Sequence, residues 1–313
     1  MARASVRSSV AWMLHETGFS TVVIGVDGAA GGRDAFVLLS QIAAAATRVE
    51  FVGVAVKEPH NAWTEGPAAG TKAEEQGVRF VEELRRRHPE AEVSFTTTTE
   101  VSVAAGLTEV ARRHDADLIV VGSSGRGALR RVLLGDTTQA LLRHAPCAVA
   151  VAPKGLAEHP GVELSAIGVG YGEDAASRRA LTVARALEPA GGTLSVTRMI
   201  KDPHPPMNPA LATTTLLVDA VVFDTRTATG AADVAQALPG VDEAQVVIGS
   251  VHGGLLELAG HVDLLVVGLH DRSPIGRLLH GRTAAERLLH DLPCPLLALP
   301  EQRALTVVGS AAG

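Results

Sequence analysis

The stretch VVGSSGRGALRRVLLGDTTQALL gathers the densest set of groups in this chain that could hold an anion: Gly122, Gly125 after two intervening residues, and Gly135 after nine more. Glycine lets backbone N–H groups turn toward a ligand with no Cβ in the way. A helix opening at Gly135 would add unpaired donors and a partial positive charge. Ser123, Ser124, Thr137 and Thr138 bring hydroxyl donors, and Arg126, Arg130 and Arg131 could neutralise charge, a combination that suits a polyphosphate. The same residues also describe a glycine turn, a capped helix and a solvated basic patch.

Other chemistries find less material. The twelve histidines form no HExxH and no Cys/His cluster, so no metal site is expected, and His144 and His290 read as partners of helix C-terminal dipoles. Cys147 and Cys294 each adjoin a proline at the start of an apolar strand and read as small buried hydrophobes. There is no GxxxxGK[ST], and Gly25-Val26-Asp27-Gly28 does not make the GxGxxG of a dinucleotide site. GAAGGRDA (28–35) faintly resembles the SGGxDS loop of ATP pyrophosphatases, but Ala30 and Ala35 replace both serines. No nucleophile or positioned general base adjoins the glycine loop. No catalytic residue is assigned, and any ATP hydrolysis should be slow.

The elements that must position these residues follow from apolar periodicity. Short Val-, Ile- and Ala-rich runs predict strands at Thr21–Val26, Val49–Val56, Ala91–Thr99, Asp117–Gly122 and Cys147–Ala152. Helical spacing predicts Ala35–Ala46, Gly77–Arg87, Val103–Arg113 and Thr137–His144. Runs such as LIVVG are apolar throughout, as in a parallel sheet covered by helices on both faces.

The pattern then repeats. Asp117–Pro153 lines up with Asp263–Pro300, at an offset of 146 at Gly122/Gly268 and 147 at Cys147/Cys294, and Thr21–Ala35 lines up more weakly with Leu164–Ala176. Strands are predicted in the second copy at Ser165–Gly170, Thr193–Ile200, Ala244–Gly249, Asp263–Gly268 and Pro295–Leu299, with an insertion or lid within Asp202–Gly240. The fold class is therefore α/β, two tandem doubly wound, Rossmann-like domains, each with a five-stranded parallel core. The expected boundaries are an extension at 1–20, a first domain at 21–153, a linker at 154–163, a second domain at 164–300 and a tail at 301–313.

Composition agrees with two packed domains: 313 residues, 46% hydrophobic and 20% charged. Net charge is −6, divided as −1 over residues 1–153 and −5 over 154–313, and aromatics are 3%. Nucleic-acid and membrane-surface partners are therefore not expected. No apolar run nears the ~18 residues that span a bilayer, and the N-terminal run Val10–Leu14 is too short for a signal peptide. With only two cysteines, a reducing cytoplasm is the expected compartment.

Gly122-x2-Gly125-x9-Gly135, set between strand DLIVVG and LLRHAPC, resembles the nucleotide-binding pattern of the universal stress protein family, as does the opening IGVDG. The resemblance covers nearly the whole chain as a tandem member. It implies the HUP-type fold and, for the ATP-binding branch, that Asp27 contacts the nucleoside, that Val56 or a neighbour packs on adenine and that the glycine loop holds ribose and phosphates. The implied cofactor-binding set is Asp27, Gly28, Val56, Val121, Gly122, Ser123, Gly125, Arg126, Gly135, Asp136, Thr137 and Thr138. Asp27 also reads as a loop or helix-capping carboxylate. The resemblance implies a stress-response regulator that binds ATP, AMP or cyclic AMP, with Mg²⁺ alongside ATP. It also implies a homodimer, or pairing of the two halves through Ala148–Ala152 and Leu296–Leu299. A dimerisation or protein-interaction module without nucleotide is the alternative.

Two departures stand out. Asp136 occupies the place where the family usually has Ser or Thr; it would oppose a triphosphate by roughly 4 kcal/mol at 4 Å and an effective dielectric of 20, and its bland role is a helix N-cap. In the second copy Gly170 aligns with Asp27 and Asp271 with Gly125, so that half is expected to have a degenerate site.

Overall fold

The computed structural model describes residues 19–43, 49–58, 67–123, 135–159, 164–172, 174–200, 241–248, 251–269 and 292–300. The first half runs β1 (Thr21–Gly25), α1 (Ala30–Ala43), β2 (Glu50–Lys57), α2 (Pro67–Arg87), β3 (Glu92–Thr99), α3 (Val103–Arg113), β4 (Leu118–Gly122), α4 (Asp136–His144) and β5 (Ala148–Ala152). After a 3-10 turn at Leu156–Glu158, the second half runs β6 (Ala166–Tyr171), α5 (Ala175–Leu187), β7 (Thr193–Ile200), β8 (Glu243–Ile248), α6 (Val251–Ala259), β9 (Leu264–Leu269) and β10 (Leu296–Pro300).

Helix α3 shows why the local sequence folds as it does. Ser102 Oγ accepts from Ala105 N at 3.1 Å, Glu58 Oε1 accepts from Val103 N at 3.1 Å, and Arg112 and Arg113 sit at the negative end of the dipole. Its bounds match those predicted from periodicity. Helices α1 and α2 begin earlier than predicted, at Ala30 and Pro67 instead of Ala35 and Gly77. Their first turns (AGGRD and PAAGTKAEEQ) carry no apolar stripe, so periodicity cannot detect them. The predicted insertion at Asp202–Gly240 lies outside the described residues.

The strand order is β3-β2-β1-β4-β5-β10-β9-β6-β7-β8. Within each half the pairings are parallel, β1 lying between β2 and β4 and β6 between β7 and β9, which is the doubly wound arrangement. Strands β5 and β10 pair antiparallel, with Leu296 opposite Val151 and Ala298 opposite Val149, so the ten described strands form one sheet. Strands β4 and β5 are buried on both faces. One apolar layer joins α1, α2 and α5 residues such as Leu38, Leu84 and Ala180 to the sheet, and the opposite layer joins α3, α4 and α6 residues such as Leu107, Leu141 and Leu255.

The duplication extends to polar ties that the sequence comparison did not anticipate. Asp117 Oδ2 accepts from Ser20 N at 3.0 Å, Ser20 Oγ at 2.5 Å and Thr21 N at 3.2 Å. In the second half Asp263 Oδ2 accepts from Ser165 N at 3.0 Å, Ser165 Oγ at 2.9 Å and Ala166 N at 2.8 Å. Each carboxylate fixes the start of the first strand of its half against the fourth.

The segment after β5 is anchored. Gly155 takes φ 79°, and Leu156 and Leu164 are buried in the core. Asp34 of α1, only 2% exposed, accepts from Gly155 N at 2.9 Å and Ala157 N at 2.8 Å.

Candidate functional site

In a doubly wound sheet the order reverses between β1 and β4, and the crevice outside their carboxyl ends is where ligands bind. Asp27 follows β1 and Ser123 follows β4, so the topology brings these two predicted residues to one place. The approach of α1 to β4 requires glycine: a Cβ on Gly122 would lie 2.6 Å from Gly31 Cα and closer still to its carbonyl oxygen.

Asp27 is exposed at the mouth. Its Oδ1 accepts from Ala29 N at 2.8 Å and Gly32 N at 2.9 Å, so it does the bland job foreseen for it, holding the first turn of α1. Gly28 takes φ 69°, and its N–H donates to Gln76 Oε1 of α2 at 2.9 Å. Three N–H groups around the start of α1 are thereby already spent on protein acceptors. A phosphate finds a carboxylate there instead of open donors, whereas a sugar hydroxyl finds an acceptor.

The β4 side has the opposite character. Ser123 is 6% exposed, its N–H donates to Ala152 O at 2.9 Å, and its Oγ is buried with no hydrogen-bond partner among the described residues. Helix α4 opens at the same end of the sheet with Gly135 as its N-cap, at φ −75° and ψ 171°, and among the described residues no side-chain hydrogen bond caps its first turn. The first N–H groups of a helix have no partner within the helix and suit an external acceptor. Thr138 is buried and Thr137 half-buried in that turn. This corrects the reading of Asp136 as an N-cap. The cap is Gly135, and Asp136 is the exposed first helical residue, where its charge favours the helix dipole without occupying the donors.

Two further predicted residues are engaged from below. Val121 is buried in the α3/α4 layer. Val56 is half-buried and turned toward α3, so close that a Cβ on Gly106 would lie 2.7 Å from its Cγ2. Gly125, Arg126, Arg130 and Arg131 lie outside the described residues.

The second half repeats the scaffold and alters its lining. Gly268 approaches α5 as Gly122 approaches α1, a Cβ there lying 2.5 Å from Ser177 N. The sheet register sets Val22 opposite Leu118 and Ile167 opposite Leu264, which makes Gly172, and not Gly170, the counterpart of Asp27. Gly170 lies within β6. The apolar IGV strings invite a two-residue slip that pairing to the neighbouring strand removes. The same register makes buried Leu269 the counterpart of Ser123. Asp271 lies outside the described residues.

Both cysteines are buried, and burial pushes each thiol up to about 12, so neither is a reactive thiolate. Among the described residues, no group of three or more His, Cys, Asp or Glu side chains could hold a metal ion, and no helix is long and apolar enough to cross a membrane.

The model of the universal stress protein family matches residues 18–153 and again 164–300. The chain belongs to that family, with two tandem copies of its domain. A universal stress protein of Mycobacterium tuberculosis is 36% identical over 99 residues, 32% of this chain and 32% of the relative, so the match spans about a third of that protein. One from Methanocaldococcus jannaschii is 32% identical over 81 residues, 26% of this chain and 48% of the relative. A crystal structure of a putative universal stress protein from Pseudomonas aeruginosa superposes with a TM-score of 0.61 at 17% identity, covering 92% of this chain and 95% of that one. For one from Archaeoglobus fulgidus the values are 0.57, 14%, 90% and 96%. These two likenesses concern the fold.

Proposed function

We propose that the first half binds an adenine nucleotide, one per chain, and that the protein is a cytoplasmic regulatory or interaction protein of the stress response whose output is binding and not turnover. The observation that carries this reading is Ser123: a buried hydroxyl with no hydrogen-bond partner among the described residues, at the switch point of the sheet and at the same end as the N-terminus of α4.

The two sides of the crevice orient the ligand. The nucleoside lies toward Asp27, whose carboxylate accepts from ribose hydroxyls, and the phosphates lie toward Ser123, Thr137 and the N–H groups of α4. Asp136 tempers affinity for high phosphate charge, which favours AMP or cyclic AMP over bare ATP, and Mg²⁺ bound with ATP would offset the difference. The second half, with Gly172 and Leu269 at the two key positions, serves the scaffold. Pairing of β5 with β10 supports an intramolecular partnership of the halves over a homodimer built through β5.

Titration calorimetry of the full chain with ATP, AMP, cyclic AMP and adenosine tests the reading. One site per chain is expected. Ser123→Leu, which copies Leu269, should weaken ATP at least tenfold, about 1.4 kcal/mol, and adenosine much less. Asp27→Asn should weaken all four. Absence of heat and of protection from unfolding with all four ligands would leave the interaction-module reading in its place. Steady phosphate release from ATP would overturn the non-enzymatic part.

A further inference from the structure

The turn that carries Asp27 is held from outside its own segment. Gln76, half-buried on α2, accepts from Gly28 N through Oε1 at 2.9 Å and donates from Nε2 to Ala29 O at 2.9 Å. One amide thus satisfies the donor of one residue and the acceptor of the next, and this pairing also fixes which end of the amide is oxygen. The fit is close. A Cβ on Gly28 would lie 2.8 Å from Ala73 N of α2, and one on Gly32 would lie 2.5 Å from Gln76 Oε1 and 2.8 Å from Asp27 Oδ1. The glycines of GAAGG are accounted for by this knot and by the approach to Gly122, with no pyrophosphate required.

We infer that Gln76 is a positioning residue for the nucleoside end of the site. It lines a groove of about 510 Å³ between α1 and α2, with Val26, Phe36 and Phe80 on the apolar side. Its work is to hold the left-handed turn at Gly28, and so the backbone from which Asp27 reaches the ligand. Asp27 Oδ1 is itself tied to Ala29 N and Gly32 N, so a slackened turn moves the carboxylate with it. The second half ties its equivalent turn locally: Ser177 Oγ accepts from Gly172 N at 3.0 Å and Asp174 Oδ1 accepts from Ser177 N at 2.7 Å.

This inference rests on the nucleotide reading, and the experiment separates the two. ATP and adenosine are titrated into the wild-type chain, Gln76→Ala, Gln76→Met and Gln76→Glu, at pH 8 and pH 5, with an unfolding curve for each. Affinity for both probes should fall about tenfold in Gln76→Ala and Gln76→Met, and by the same factor for each, because the loss is at the nucleoside end. The readout that a merely structural role would not move is the pH behaviour of Gln76→Glu. Ionised, that side chain can still accept from Gly28 N but faces Ala29 O and Asp27 with a negative charge; protonated, it donates to Ala29 O as the amide does. Lys72, Glu75, Arg79, Glu82, Glu83 and Arg86 on its own helix and Arg33 across the groove are the charged residues that line this groove with it, and they are common to all four chains. Relative to wild type at the same pH, Gln76→Glu should be weak at pH 8 and recover about twofold or more at pH 5, while Gln76→Ala does not recover. Where Gln76→Ala does not fold, Gln76→Met and the Gln76→Glu recovery decide. A wild-type chain that binds both probes alongside variants that bind equally well overturns the role of Gln76 alone. A wild-type chain that takes neither probe overturns the nucleotide reading and this role with it.

Discussion

Gly122, the last residue of β4, lies against Gly31 of α1 so closely that a Cβ on it would stand 2.6 Å from Gly31 Cα. The second half makes the same approach between Gly268 and the Ala176–Ser177 peptide, although its crevice has lost the carboxylate and hydroxyl of the first. A contact kept where the lining has changed belongs to the scaffold: it seats a helix N-terminus on the sheet. Gly122→Ala and Gly268→Ala should therefore each destabilise the chain by about 1–3 kcal/mol, through backbone that cannot give way. Urea unfolding checks this, and a Gly122→Ala chain of native stability would refute it.

The anchored turn after β5 gives a second test. Asp34→Ala would leave Gly155 N and Ala157 N without their acceptor, at a cost of about 1–3 kcal/mol for one buried and one half-buried donor. Asp34→Asn keeps one acceptor oxygen and should lose less. Limited proteolysis should show cleavage near 155–159 appearing in Asp34→Ala before any elsewhere, and an unchanged cleavage pattern would count against the anchor.

The cysteines set an alkaline limit. Burial raises both thiols from their ordinary value near 9 to about 12, so the folded chain keeps protons that the unfolded chain gives up. Their contribution is fully present below pH 9 and is lost as pH rises from 9 toward 12. Chemical denaturation across that window should show stability falling, with a shallower fall in the Cys147→Ala/Cys294→Ala chain. At pH 8 neither thiol should react with a thiol reagent until the protein unfolds.

Asp136 now has a different expected effect on stability, since it is not the cap. Asp136→Ser removes a favourable charge from the first turn of α4 and should cost about 0.3–1 kcal/mol. Affinity for ATP should rise, more than for adenosine, and the gain should shrink at high salt because the carboxylate is exposed. Equal gains for both ligands would mean that Asp136 acts on the loop and not on phosphate. A loss of ATP affinity would mean that the carboxylate helps to hold Mg²⁺.

Much of this protein is written in local pattern. Continuous apolar runs such as LIVVG can be satisfied only by a sheet covered on both faces, and their recurrence 146 residues later makes the chain a duplication. The glycine loop, Ser123 and Asp27 are visible because their chemistry is carried by residue type and spacing. What the sequence cannot show is anything that depends on two segments meeting. The two-residue slip between Gly170 and Gly172 is invisible until β6 pairs with β9, because an apolar string fits its neighbour equally well in several registers. Asp117, Asp263 and Asp34 look like ordinary surface acids until the strand starts and the turn they hold fold against them. Gln76 carries no motif at all. Its role exists only because α2 lies across the turn at Gly28, bringing an amide 48 residues away to the one N–H and one C=O that its two ends can satisfy.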